Sequence, residues 1–466
     1  RPSGDRTAQG FKMSNDPNGL RVALDTLGCR MNQSETAAMT EGLVRAGYQV
    51  VPFEGVADVY VINTCTVTGK SDHRSRQLAR RAVRANREAV VVLAGCYPQA
   101  NPDEASRLQG VDLVLGNREK LRLADQLKVF LESNGLRKRA PGDPVVEIAE
   151  MDRVEKFDEV TIRNFPDHTR AFSKVQDGCG FRCSFCAITL ARGPSRSLPS
   201  DGAVRQVRDL IANGFREVVL TGVDLGSYGW DLAPATDLAH LVRRLGEISG
   251  LDRLRISSLN PWEIPDALIE ACAETRCVCP HFHIPLQSGD DAVLKAMRRP
   301  YEAAHYVERL RALKRAFPSA GIGADVIAGF PTETEDAFRR TYALIEKAPI
   351  TYLHVFPYSP RRSTRATGME TCVSAEARKE RVSRLRALGL KKRRAFFEDH
   401  LGKEVEVLIE HSRHKETGLL QGLSENYIKV LTAGPAAWMN TLVRVRVERV
   451  DEKHVVGTAL RRPVAV

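Results

Sequence analysis

Short β-rich runs alternate with helical ones through most of this chain, and that alternation constrains the fold more than any other feature. Residues 21–27, 59–63, 90–94 and 111–115 have the composition of strands, and 33–46, 75–85 and 103–108 the spacing of helices. Parallel neighbours need long crossovers, so this region predicts an α/β domain built on a parallel sheet. From about residue 170 to 399 the pattern repeats on a longer scale. Strands are expected at 172–176, 217–220, 253–257, 282–285, 323–328 and 352–357. Helices are expected at 201–213, 236–248, 265–274, 290–297, 303–316 and 335–346. Six such units predict a partial (β/α)6 barrel of the TIM type, with reactive groups at the C-terminal strand ends. A basic helix is expected over about 374–400. Residues 402–465 then lose the helical period. Runs at 405–410, 419–423, 427–430, 442–450 and 455–460 read as five short strands, which suits a small closed β-barrel of the oligonucleotide-binding kind.

A chain of 466 residues exceeds one compact core and predicts about three units. We expect a disordered tail over 1–19, with Met13 a candidate start, an α/β domain over 20–135, a linker over 136–169, a central barrel over 170–400 and a terminal barrel over 401–466. Residues 136–144 carry the Pro, Gly and charge of a linker. The first residues lack the apolar core of a signal peptide, and no run is long and apolar enough to span a membrane, so the cytoplasm is the expected compartment. The net charge of +11 favours a polyanionic partner, although a basic surface also serves solubility. Ten cysteines without secretory features point to metal or redox chemistry rather than a disulfide framework.

The most specific of these cysteines form the loop Cys179-Gly-Phe-Arg-Cys183-Ser-Phe-Cys186, directly after a predicted strand. A zinc knuckle would pair its cysteines as C-x2-C and bring four ligands. Three thiolates on one tight loop instead suit three irons of a cubane cluster, with one iron left open. A second trio is scattered in sequence but regular in placement. Cys29, Cys65 and Cys96 each stand at the end of a predicted parallel strand, beside the small residues Gly28, Thr64 and Gly95. Loops at the carboxyl ends of parallel strands share a crevice, so the three are expected to converge on another cluster; three buried free cysteines are the alternative.

The 179–186 loop resembles the radical S-adenosylmethionine (SAM) signature. The resemblance implies that the open iron chelates the amino and carboxylate groups of SAM and that an electron from the cluster releases a 5′-deoxyadenosyl radical. It also implies that Phe185 lies against the adenine, where simple packing is the alternative. Thr221-Gly222-Val223-Asp224 stands where that family often has Gly-Gly-Glu for the SAM amino group, which makes Gly222 and Asp224 candidates. Ser257, Gln287 and Asp325 fall near the C-terminal ends of predicted barrel strands and suit either SAM contacts or structural hydrogen bonds.

Taken together, a three-cysteine α/β domain, a radical SAM barrel and a terminal RNA-binding (TRAM) barrel are similar to the methylthiotransferases. The likeness runs from Leu20 to Pro463. Leu27-Gly-Cys-Arg-Met-Asn-Gln-Ser-Glu35, Asn63-Thr-Cys-Thr-Val-Thr68 and Leu220-Thr-Gly-Val-Asp-Leu-Gly-Ser-Tyr-Gly229 most resemble the MtaB type, which acts on N6-threonylcarbamoyladenosine in tRNA. The isopentenyladenosine type typically has Cys-Gln-Met-Asn in the first of these places, and the ribosomal-protein type Cys-Pro-Lys-Asn. The resemblance implies two 4Fe-4S clusters, SAM, a tRNA substrate modified next to the anticodon, and an electron donor such as flavodoxin or ferredoxin; it leaves the sulfur donor open. The rival readings are a methylthiotransferase for isopentenyladenosine or a ribosomal protein, and a non-catalytic iron–sulfur RNA-binding redox sensor.

The remaining features are less specific. Cys277, Cys279, His281 and His283 run into a predicted strand whose alternate side chains point to opposite faces, which argues against a shared metal. Cys272 and Cys372 fit no cluster geometry. Met297, Arg298 and Arg299 read as a basic helix end. Arg74, Arg76, Arg80, Arg81, Arg84 and Arg87 crowd one helix, and nine Lys and Arg face one acid between Arg378 and Arg394. Either helix suits a phosphate backbone or a solvated face. Arg444 and Arg446 share one strand face, and Tyr427 suits a stacking platform or a core aromatic. The last region holds no cysteine, so its removal is expected to weaken RNA binding and spare SAM cleavage.

Overall fold

The structure is a computed structural model and describes residues 19–134, 143–165 and 168–460. The expected tail up to residue 18 and most of the 136–144 linker segment lie outside the described residues. The chain divides into two compact units. One comprises the described residues up to Leu27, Met39–Thr64 and Arg74–Ala149; the other comprises Gly28–Ala38, Cys65–His73 and the chain from Glu150 onward.

The first unit is built on a six-stranded, all-parallel sheet. Its strands are β1 (Arg21–Thr26), β2 (Gln49–Val51), β3 (Val59–Thr64), β4 (Val90–Gly95), β5 (Leu113–Leu115) and β6 (Val145–Glu147), in the order β2-β1-β3-β4-β5-β6. Val-Tyr-Val-Ile-Asn-Thr and Val-Val-Val-Leu-Ala-Gly make the two central strands because β-branched, apolar residues tolerate burial on both faces, and every residue of both is buried. Val59, Val61, Val90 and Val92 join Met39, Leu43, Leu127 and Phe130 in one core. The order reverses between β1 and β3. At such a switch point the connections leave in opposite directions and open a crevice at the carboxyl strand ends.

In the second unit, β7 (Arg170–Lys174) is followed by the short antiparallel pair β8 (Gln176–Asp177) and β9 (Arg196–Ser197). The parallel strands β10 (Glu217–Thr221), β11 (Arg253–Ile256), β12 (His281–His283), β13 (Gly321–Ala328) and β14 (Tyr352–Pro357) come next. β7, β10 and β11 form one parallel sheet and β12, β13 and β14 another; bridges Leu254–Val278 and Ser258–His283 join them into a six-stranded arc. Helices Ser200–Ala212, Leu238–Gly246, Ala303–Ala316 and Glu335–Lys347 bury Val207, Leu241, Leu310 and Phe338 against its outer face. On β13, Ile322, Ala324 and Val326 join that core, while Gly323 and Asp325 face the other way. A Cβ on Gly323 would collide with the Tyr352 ring. This inner face is open to solvent toward the end of β14, where His354 is 56% exposed on its side chain.

The helix Ala375–Glu398 packs Leu385, Leu388 and Gly389 inward, with a Cβ on Gly389 reaching 3.0 Å from Leu353. Arg381 is buried on Glu333 at 2.8 Å, Arg384 lies over the Phe338 ring at 4.7 Å, and Lys392 caps the carbonyls of Glu346 and Ala348. Much of this basic helix is therefore structural, and Lys379, Arg386, Lys391 and Arg394 keep an exposed face.

β15 (Glu404–Arg413), β16 (Leu420–Ser424), β17 (Lys429–Thr432), β18 (Leu442–Val450) and β19 (Val455–Ala459) close the terminal barrel in the order β15-β16-β17-β19-β18. Along β18, Val443, Val445 and Val447 fill it while Arg444 and Arg446 face out. Buried ionic contacts seat this barrel on the arc. Arg253 donates to the carbonyls of Leu423 (3.0 Å) and Glu406 (2.6 Å), and Arg255 to that of Glu425 (3.0 Å). Tyr427 is not an outward platform: with φ +73° it turns inward and stacks on His281 at 4.2 Å.

Candidate active site

Gly178, in the left-handed region at φ +74°, turns the chain out of the β8 end into the 179–186 loop. The Cys179 amide bonds the Gly193 carbonyl at 3.0 Å, and Ser184 is pinned by the Met297 and Ala296 carbonyls at 3.0 and 2.9 Å. Two donors aim at sulfur. Arg299 Nη1 lies 3.4 Å from Cys183 Sγ, and the Ile188 amide 3.5 Å from Cys186 Sγ. Arg299 is thus more than a basic helix end: its planar group also lies over the Trp262 ring at 4.3 Å and donates to Asn260 at 2.6 Å.

The donor set fits an iron–sulfur cluster. Among the described residues, the His/Cys/Asp/Glu atoms that gather within 4.8 Å of one another are those of His283, Asp325 and His354. The three loop thiols therefore stand wider apart than a single small ion would draw them. Burial pushes the Cys186 thiol up to about 11 against the pull of the Ile188 amide, and burial with Asp224 nearby pushes Cys179 up as well. Thiols so placed ionise when a metal supplies the positive charge, and N–H donors to sulfur are a usual means of tuning it.

Beside this loop lies a polar cluster that sequence reasoning found only in part. Asp224 follows β10, its amide held by Gln176 at 2.8 Å and one carboxylate oxygen by Asn260 at 2.7 Å. Gly222 is required because a Cβ there would lie 2.7 Å from the Gln176 side-chain oxygen. Glu263 shares the site: burial first, then the Asp224 charge, pushes its carboxyl up to about 9, so it carries a proton at neutral pH. Asp224 Oδ2, Ser257 Oγ, Glu263 Oε1 and Trp262 Nε1 are buried with no hydrogen-bond partner in the protein. Such groups are costly unless a ligand meets them.

The other candidates are dispersed. Phe185 packs beside Val293, Met297 and Phe330. Gln287 takes φ +62° and pairs its backbone with Asp325 and Ile327. Asp325 accepts from His283 at 2.8 Å and pairs with His354 at 3.3 Å; burial raises its carboxyl, but the two histidines outweigh this and hold it low. The structure thus leaves a buried polar atom of Asp224 and one of Ser257 unmet, and gives Asp325 partners of its own.

The second trio follows the strand ends. β1, β3 and β4 run into Cys29, Cys65 and Cys96, and the first two leave the strands that flank the sheet's switch point. Gly28, at φ +102°, is needed because a Cβ there would lie 2.6 Å from that of Cys65. Cys29 and Cys65 fall in the second unit and Cys96 in the first, where Cys96 Sγ contacts the Asn117 amide at 3.6 Å. The segment after Cys29 is anchored to the 179–186 loop region by buried charge. Arg192 bonds Glu35 and Asn32 (3.0 and 2.8 Å), and Lys174 bonds Glu35 and Asp177 (2.9 and 2.7 Å). The segment after Cys65 is tied to the chain beyond β14 by Arg361, which reaches Thr66 and Asp72, each at 2.6 Å. Cys277 and Cys279 do not join the two histidines that follow them in any metal-spaced group among the described residues.

Residues 21–116 match the uncharacterized protein family UPF0004, and residues 173–345 the radical SAM superfamily. The chain is 42% identical over 416 residues to the threonylcarbamoyladenosine tRNA methylthiotransferase MtaB of Aquifex aeolicus, covering 89% of this chain and 97% of that one. It is 36% identical over 443 residues to the Bacillus subtilis protein of the same name, covering 94% and 96%. In fold it is similar to the radical S-adenosylmethionine methyltransferase TsrM of Kitasatospora setae, with a TM-score of 0.54 at 15% identity over 75% of this chain and 77% of that one. Nearly full-length identity at this level, over an α/β sheet and a radical SAM arc, makes the chain a member of the MtaB-type threonylcarbamoyladenosine tRNA methylthiotransferase family.

Proposed function

We propose that this chain transfers a methylthio group to carbon 2 of N6-threonylcarbamoyladenosine next to the anticodon of tRNA, at position 37. The observation that carries the proposal is the 179–186 loop, with its three thiols, its two N–H donors to sulfur and the unmet polar atoms of Asp224 and Ser257 alongside. Cys179, Cys183 and Cys186 would hold one 4Fe-4S cluster, and Cys29, Cys65 and Cys96 the other. When bound, the first supplies the electron that splits the sulfonium of SAM, and the second carries the sulfur to be methylated and transferred. Carbon 2 of adenine is neither acidic nor electrophilic enough for polar substitution, which is why radical chemistry is needed.

The chain's own residues orient and shield. Asp224, held by Asn260 and facing a protonated Glu263, presents a carboxylate oxygen suited to an ammonium. Arg299 neutralises sulfur charge at Cys183. Phe181, Trp262 and Tyr301 pack in a row beside it (4.9 and 5.4 Å between centroids) and keep water from the loop. Cys179 and Asp224 are thereby the metal-side and SAM-side ends of one site, with Gly222 giving clearance and Phe185, Gln287 and Asp325 left as further contacts. In functional terms the N-terminal sheet domain, the radical SAM arc and the terminal barrel act as sulfur carrier, radical source and RNA grip. No helix among the described residues is long and apolar enough to cross a membrane. All ten cysteines are free of disulfides, which suits the cytoplasm and a low-potential donor such as flavodoxin or ferredoxin.

The test is anaerobic. Reconstituted protein should hold about eight irons, cleave SAM after reduction, and add methylthio to tRNA bearing the threonylcarbamoyl nucleoside, read by mass analysis of nucleosides. Replacing Cys179, Cys183 and Cys186 with Ala should halve the iron and abolish cleavage. Replacing Cys29, Cys65 and Cys96 should stop transfer and leave some cleavage. Full iron in the first variant or normal product in the second overturns the assignment.

A further inference from the structure

Arg30 follows Cys29 directly and is the first residue of the helix Arg30–Arg45, whose first turn holds no acid. A cation there opposes the helix dipole, so local stability does not explain it. Its partner is a phenol: Nη2 donates to the Tyr427 hydroxyl at 3.1 Å. Among the described residues it pairs with no carboxylate. Two other guanidiniums lie over the same ring, Arg255 at 5.2 Å and Arg170 at 6.0 Å, but both answer to buried Glu217. The Arg30 charge is left over.

Tyr427 is built to hold this geometry. Its backbone sits at φ +73°, uncommon for a bulky residue, and its ring is stacked on His281 at 4.2 Å and 20°. His281 in turn bonds the Tyr352 hydroxyl at 2.8 Å, so the phenol is backed by an aromatic stack on the inner face of the arc. With one Nη2 proton donated to the phenol, Arg30 keeps one two-pronged edge of its guanidinium, the second Nη2 proton beside that of Nε or of Nη1, and such an edge matches a carboxylate.

Resting on the function proposed above, we infer that Arg30 receives the carboxylate of the threonyl group on the target nucleoside, and that Tyr427 is the positioning residue that aims it. The residue selects an anionic substituent on the adenine over an apolar one, within one side chain's reach of Cys29. The remaining donors of the guanidinium are satisfied when the modified base enters, and the unmodified adenosine offers them no carboxylate.

The experiment uses the full-length, anaerobically reconstituted enzyme and two substrates: tRNA carrying the threonylcarbamoyl nucleoside as the free acid, and the same tRNA with that carboxylate blocked as its methyl ester. Methylthio product, iron content and SAM cleavage are read for each. The wild type should prefer the acid by about 10- to 100-fold in kcat/KM, the range of a charge-assisted hydrogen-bond pair. Arg30→Gln should lose that preference by slowing the acid while changing the ester little. Arg30→Lys should restore part of it. Tyr427→Phe, which keeps the stack and removes the hydroxyl, should raise KM for the acid several-fold with kcat near normal. Arg205→Gln, on the exposed side of the helix Ser200–Ala212 and paired with Glu159, controls for charge loss. If Arg30→Gln slows both substrates equally, Arg30 binds RNA phosphate or acts structurally, and the inference fails. Should Arg30→Gln lose its iron, Tyr427→Phe decides: an unchanged acid-to-ester ratio overturns the inference. A wild type that makes no product from the acid form overturns the functional reading itself, a distinguishable result.

Discussion

Glu217 opens β10 and is fully buried, and its replacement by Gln gives a direct measure of how the arc and the terminal barrel are held together. Its carboxylate takes Arg255 in two bonds, at 2.7 and 3.3 Å, with Arg253 at 3.7 Å and Arg170 at 3.9 Å. Burial pushes the Glu217 carboxyl up, but Arg255 and its neighbours outweigh that and bring it down to about 2 from 4.5. A lowering of that size corresponds to about 3 kcal/mol of stability. The folded value lies below the unfolded one, so this contribution is fully present above about pH 4.5 and is lost as pH falls toward 2. Gln keeps the shape and removes the charge, leaving the buried Arg255 guanidinium without a carboxylate while Arg253 keeps Glu406 at 3.3 Å, which costs about 3–5 kcal/mol. Urea unfolding of the full-length chain at pH 7.5, followed by tryptophan fluorescence, should show that loss. Repeated at pH 4, the gap between the two proteins should narrow. The double variant Glu217→Gln/Arg255→Met should recover part of the loss, because it removes one orphaned cation. A single variant within 1 kcal/mol of the parent would refute the argument that these charges are paired in a low-dielectric junction.

Three more outcomes follow from the same reasoning. Glu263 holds its proton up to about pH 9, so wild-type stability should decline between about pH 5 and 9, where the folded state binds the extra proton; Glu263→Gln should flatten that slope in urea titrations, and an unchanged slope refutes a Glu263 carboxyl raised by burial and the Asp224 charge. Deleting residues 402–466 should abolish SAM cleavage along with tRNA binding, since Arg253 and Arg255 lose their carbonyl partners and His281 its stacking ring. The double variant Arg444→Glu/Arg446→Glu should instead weaken tRNA binding and lower its salt slope by about two, and a deletion protein that still cleaves SAM would show the junction to be dispensable.

What could be read in the sequence, and what could not, separates by the range of the interaction. β3 and β4 were legible because runs of β-branched residues have no other comfortable place than a doubly covered strand, and 352–357 and 442–450 were bounded correctly by their flanking turns. The edge strands β2 and β6 are three residues each, too short for any period. β17 starts at Lys429 rather than Tyr427 because the chain first makes a left-handed turn whose cause lies in the stack on His281. The buried Arg381 was in fact visible, since 381, 385 and 388 fall on one helical stripe with Val382 beside it, but a count of charges hides that spacing. Arg299 read as a helix end because its partner Cys183 lies 116 residues away, and Arg192 meets Glu35 across 157. Cysteine spacing, by contrast, is local for one set and strand-locked for the other, so the chemistry could be read before the fold. The terminal barrel marks the limit of that reading. Its lack of cysteine suggested a detachable RNA grip, yet Tyr427, Glu406, Leu423 and Glu425 meet the arc with contacts that no local pattern encodes. A segment without chemistry of its own can therefore still be part of the wall on which the chemistry depends, and where its phenol touches Arg30 it comes within one residue of Cys29.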